Sequence, residues 1–136
     1  MNKSVYLIII VVVLGAIYIL IPGGESQADT LEEGIRLARE QDKLIFLYVN
    51  GNWCTYCSLL ETQFSQSEKF QNLIEEHYIW VTLAFEKNPT IVRRFKLRGP
   101  PALFVLDQDG SLIMEIIGYP PHGISDVIFM LEEALR

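Results

Sequence analysis

Three stretches of this chain are apolar almost without a break: Leu44 to Val49 (LIFLYV), Tyr78 to Phe85 (YIWVTLAF) and Ala102 to Leu106 (ALFVL). A strand with one wet face alternates apolar and polar residues. A run that is apolar throughout suits a strand covered on both faces, as in a parallel sheet. The segments between the runs carry helical spacing. Thr30 and Glu33 fit a capping box ahead of Leu31, Ile35, Leu37 and Ala38, a helix ending near Asp42. Leu59, Leu60 and Phe64 mark one face of a second helix, which Ser67 can cap into a continuation through Phe70, Leu73 and Ile74. Asn88-Pro89 opens a third, carrying Ile91, Val92 and Phe95 and stopping at Gly99. Asp107-Gln108-Asp109-Gly110 turns a hairpin into Leu112–Ile117, and a last helix to Leu135 turns Val127, Ile128, Met130, Leu131 and Leu135 inward. The order predicts an α/β fold with a mixed, mainly four-stranded sheet between helices.

Seventeen residues from Val5 to Ile21 carry no charge. As a helix they reach about 26 Å, slightly less than a bilayer core of roughly 30 Å. Residues 1–21 are therefore expected to be a membrane anchor or the apolar stretch of a secretory signal, with 22–28 as linker and 29–136 as the folded domain. Lys3 precedes the run and no Lys or Arg follows it before Arg36, which puts the domain outside the cytoplasm. Ser26 and Ala28 have the spacing of a signal-peptidase site, so the domain is expected either anchored on the periplasmic side or secreted after cleavage following Ala28.

The only two cysteines, Cys54 and Cys57, follow the first apolar run in the stretch NGNWCTYC. There a strand hands over to a helix, whose first N–H groups and dipole favour an anion. A thiolate, not a thiol, attacks a disulfide, so Cys54 at this tip is the expected nucleophile. Cys57, one turn further in and more buried, is the expected resolving cysteine. A bridge closing so short a ring removes little entropy from the unfolded chain, so the pair suits exchange better than stapling.

Residues 30–136 resemble the thioredoxin family, on three matches: Trp53-Cys54-x-x-Cys57 at a strand end, the stretch RGPPALFVL, and Gly118 closing the last strand. The resemblance implies a thioredoxin fold and a thiol:disulfide oxidoreductase without a cofactor. It implies Pro101 as a cis-proline, and a substrate-binding rim of Trp53, Gly99, Pro100, Pro101 and Gly118. The apolar N-terminus makes the chain most similar to membrane-tethered extracytoplasmic members that reduce disulfides. Protein disulfides are then the substrates and a membrane electron carrier the donor, with the chain acting as a monomer.

Two departures stand out. Many thioredoxins keep a buried carboxylate six residues before the first cysteine, where this chain has Tyr48. Proton transfer at the second cysteine then falls to water, Tyr48 or another acid such as Glu61, although Glu61 reads more readily as a solvated helix residue. Thr55-Tyr56 between the cysteines contains no histidine, which favours a reductant. His77 reads as a helix-end residue and His122 as part of the Pro-rich turn after Gly118, more readily than as a neighbour of the rim; Arg93, Arg94, Lys96 and Arg98 read as the basic end of a helix. A net charge of −6 argues against nucleic acid as a partner. Two other readings stay open: a copper(I) chaperone using both sulfurs, which lacks a nearby third ligand, and a redox-inert binding domain.

Pro100 has no N–H to offer an extended substrate strand. Pro100→Thr restores one, and tighter capture of a peptide disulfide by a Cys57→Ser variant is the expected outcome; unaltered capture would count against any backbone pairing at this position.

Overall fold

In the computed structural model, which describes residues 2–20 and 26–136, the three apolar runs become the three inner strands of one sheet. Strand β2 (Leu44–Asn50) pairs in parallel with β3 (Tyr78–Ala84) and antiparallel with β4 (Ala102–Leu106). Strand β5 (Leu112–Ile117) joins β4 antiparallel, and a two-residue β1 (Gln27–Ala28) joins β3 in parallel. The sheet thus has five strands in the order β1-β3-β2-β4-β5 rather than four. Gln27 and Ala28, expected in the linker, pair with Trp80 and Val81. Two residues are too few to leave a pattern of alternation in the sequence.

Alternation along β2 divides the core into two layers. Ile45, Leu47 and Val49 face one layer, covered by helix α2 (Leu31–Gln41) and the short α5 (Pro89–Arg94). Phe46 and Tyr48 face the other, covered by α3 (Thr55–Gln66), α4 (Glu68–His77) and α6 (Ile124–Ala134). Half of the expected capping box forms: Glu33 N–H donates to Thr30 Oγ1 at 3.2 Å, while the Glu33 carboxylate accepts from Arg36. Ser67 ends α3 and, by accepting the Phe70 N–H at 3.2 Å, starts α4. Phe64 sits at the middle of the second layer, stacked on Phe70 at 4.5 Å and edge-on to Tyr48 at 5.4 Å and Trp80 at 5.6 Å.

Some side chains depart from the expected faces. Leu59 and Leu135 are exposed, not buried, because α3 and α6 turn the neighbouring positions Leu60, Met130 and Leu131 to the sheet. Helix α5 ends at Arg94, not at Gly99: Lys96 takes a left-handed conformation, φ 52°, which breaks the helix. Arg98 consequently lies beyond the helix.

At the N-terminus, α1 (Lys3–Leu20) exposes Val5 to Leu14 to solvent. Its 18 residues reach about 27 Å. Among the described residues no helix is long and apolar enough to cross a membrane, so the expected spanning anchor over 1–21 does not have its full length here. Ile21 and the linker residues 22–25 lie outside the described residues.

Phe64 makes the largest set of ring contacts in the core. Phe64→Ala is expected to lower unfolding free energy by about 3–5 kcal/mol, measured by denaturant titration; a loss below about 1 kcal/mol would mean the layer can collapse around the gap.

Candidate redox site

The end of β2 sets the site. After Asn50 the chain runs through Gly51 and Asn52 to Trp53, which adopts a left-handed φ of 58° and is fully exposed. Cys54 follows as the N-cap of α3, in extended conformation. Helical spacing then buries Cys57, Leu60 and Phe64 on one stripe. Cys57 is only 2% exposed, while Cys54 is half-buried at the surface. The two are joined in a disulfide, and the Cys57 N–H points at Cys54 Sγ at 3.1 Å. An uncapped helix start leaves such N–H groups unpaired, so a sulfur with negative charge is favoured here.

The loop before β4 forms the facing wall. Its Pro100–Pro101 peptide bond is cis. Gly51 lies directly against it: a Cβ at Gly51 would come 2.6 Å from Pro100 Cγ and 3.0 Å from Glu86 Oε1. Glu86, in a single 3₁₀ turn after β3, accepts the Asn52 N–H at 3.0 Å. Three loops at the carboxyl ends of β2 and β3 and the start of β4 thus meet around Cys54. Between them opens a groove of about 540 Å³, where Trp53, Cys54, Tyr56, Glu86, Arg98 and Pro100 are among the lining residues.

A second depression has both cysteines in its lining, together with Asn50, Ser58 and Glu61. Glu61 is exposed yet tethered, accepting from Tyr48 Oη–H at 3.3 Å and Asn50 Nδ2–H at 3.2 Å. Burial, then the Glu61 charge and the hydrogen bond to it, push the Tyr48 phenol well above the ordinary tyrosine range. The Tyr48 phenol therefore keeps its proton and donates it in a hydrogen bond to Glu61.

Of the residues expected at the rim, Trp53, Gly99 and Pro100 line the groove with Cys54. Pro101 is buried behind it, its carbonyl accepting the Gly118 N–H at 2.9 Å, so the end of β5 is tied to the cis-proline loop. His122 lines neither depression; its Nδ1 lies 3.1 Å from Asp126, whose carboxyl is held below the usual range mainly by the His122 backbone N–H. His77 ends α4 beside Glu76. Arg98, expected at a helix end, is a groove residue. Phe85, Glu86 and Tyr56 were not anticipated there. The rule that α/β sheets bind ligands at the carboxyl ends of parallel strands would have drawn attention to Phe85 and Glu86, just after β3. Among the described residues no group of three or more His, Cys, Asp or Glu is placed to hold a metal ion.

Comparison with known proteins agrees with this geometry. The thioredoxin-like domain family matches residues 31–128. A disulfide bond reductase, DsbH, of Chlamydia pneumoniae is 26% identical over 124 residues, covering 82% of this chain and 72% of that protein. Among solved structures, a thioredoxin from Thermus thermophilus superposes with a TM-score of 0.69 at 15% identity, over 82% of this chain and 88% of the other. The C-terminal domain of Neisseria meningitidis DsbD, in its oxidised form, does so with 0.63 at 22% identity, over 76% and 91%. The chain belongs to the thioredoxin-like domain family and is a thiol:disulfide oxidoreductase.

The crowding at Gly51 separates two glycines of the site. Gly51→Ala is expected to lower stability by about 1–3 kcal/mol, whereas Gly99→Ala, with open space around its Cβ position, should stay within about 0.5 kcal/mol. Equal denaturant midpoints for the two variants would contradict the packing of Gly51 on Pro100.

Proposed function

We propose that this chain reduces disulfides of extracytoplasmic proteins, with Cys54 as nucleophile and Cys57 as resolving cysteine. The observation that carries the reading is the Cys57 N–H aimed at Cys54 Sγ, with the first sulfur at the surface and the second enclosed. In the reduced protein the Cys54 thiolate attacks one sulfur of a client disulfide. A mixed disulfide forms, and the other client sulfur leaves as a thiolate that takes a proton from water. Cys57 then gives up its proton and attacks Cys54 Sγ. The mixed bond breaks, the second client thiolate departs, and the chain is left with its Cys54–Cys57 disulfide. Two electrons have passed from chain to client, and a membrane dithiol donor restores the reduced pair.

Glu61 receives the Cys57 proton in this scheme. It borders the depression that reaches Cys57, and Tyr48 and Asn50 fix its carboxylate. Trp53, Gly99 and Pro100 bind the client strand, Pro101 holds the loop that presents Pro100, and Gly118 holds Pro101. The direction of electron flow is supported by Thr55-Tyr56, which contains no histidine, and by the reductase name carried by the chlamydial relative. Extracytoplasmic placement and membrane attachment of the folded domain, β1 included, as a monomer through the apolar N-terminal segment belong to the same proposal. They rest on the exposed apolar side chains of α1 and on the charge asymmetry around it.

Reduction of insulin by the purified domain tests the scheme. Cys54→Ser is expected to abolish turnover, and Cys57→Ser to stop at a mixed disulfide. Glu61→Gln should slow resolution by about tenfold, with water taking over the proton, while leaving the first attack in the Cys57→Ser background unaltered. Full turnover by Cys54→Ser would refute the assignment of the nucleophile.

A further inference from the structure

Tyr56 stands between the two cysteines, is 60% exposed, and forms one side of the groove beside Cys54. An exposed aromatic ring on a helix is ordinarily free to change rotamer. This one is backed by Tyr119, whose ring centre lies 5.3 Å away at a tilt of 36°. Tyr119 is itself held: its hydroxyl accepts from Gln63 Nε2–H at 3.1 Å, while Gln63 Oε1 accepts the Ile124 N–H at 3.1 Å. One amide side chain thereby links α3, the loop after β5 and the start of α6. Gly123 makes the link possible. Its φ is 58°, and a Cβ there would lie 2.8 Å from Gln63 Oε1 and 3.2 Å from the Tyr119 hydroxyl.

The fully exposed Trp53 also lines the groove. Glu86 and Arg98 place one charge of each sign on the lining, so the groove does not select strongly by net charge. Backbone pairing is reduced, because Pro100 has no N–H. What remains to hold a client is aromatic surface, rigid and with little rotamer entropy to lose.

We propose that Tyr56, braced by Tyr119 and Gln63, is a specificity-determining wall that selects client segments with a bulky apolar or aromatic side chain next to the reacting cysteine. The inference rests on the exchange function proposed above. It assigns the client class: extended, aromatic-flanked disulfide segments of proteins, whatever their net charge, in preference to small polar disulfides.

The test uses the reduced Cys57→Ser protein and two synthetic peptides, each carrying its cysteine as an activated disulfide and differing only in Phe or Ser beside it. Rates of mixed-disulfide formation are divided by the same variant's rate with hydroxyethyl disulfide. The expected Phe-to-Ser ratio is about fivefold or more, falling to near one on adding Tyr56→Ala and to an intermediate value on adding Tyr119→Phe. A parent ratio of one, or a ratio that Tyr56→Ala leaves intact, overturns the proposal and leaves the exchange function standing. Failure of the parent to react with either peptide or with hydroxyethyl disulfide overturns both.

Discussion

The hydrogen bond from the Cys57 N–H to the Cys54 sulfur is the contact on which the rest of the site turns. Most helices begin on an oxygen from Ser, Thr, Asp or Asn. Here the cap is the Cys54 sulfur itself, so the backbone that starts α3 also favours negative charge on that sulfur once the disulfide is opened. This works only if α3 begins where it does. Its position is fixed by Cys57, Leu60 and Phe64 dipping into the core, and by Gly51 pressed against Pro100. Packing and reactivity are joined through one turn of helix.

The two core layers serve this end differently. The layer under α2 and α5 is mostly aliphatic and supports β3, from whose end Glu86 reaches the Asn52 N–H. The layer under α3 is rich in aromatic rings, with Phe64 of the redox helix itself packed edge-on to Tyr48 on the sheet. Tyr48 belongs to both core and site: its ring packs on Phe64 and its hydroxyl reaches Glu61.

Much of this was legible in the chain. The runs LIFLYV, YIWVTLAF and ALFVL declare the three inner strands because apolar residues at successive positions need cover on both faces. The Cys54–Cys57 spacing and the Asn50-Gly51 break place the disulfide at a helix start. What stayed hidden depends on contacts distant in sequence. Glu86 has no local signature, since its role comes from a loop 34 positions away. Tyr119 reads as an ordinary loop residue until the fold brings it to Tyr56. Leu59 and Phe129 satisfy helical periodicity as well as their buried neighbours do, and only the docking angle of each helix decides which points inward. β1 owes its place to pairing with β3 rather than to any pattern of its own.

The two tryptophans occupy opposite environments. Trp80 is ringed by Phe46, Phe64 and Phe70 at 5.5–5.8 Å, whereas the Trp53 indole stands in water beside the sulfur pair. The chain therefore carries two intrinsic optical reporters. One has its emission tied to the integrity of the aromatic core; the other is quenched or released by the state of the neighbouring sulfurs and by whatever lies across them. Spectral separation of the pair follows a redox cycle and an unfolding transition in the same sample without any added label.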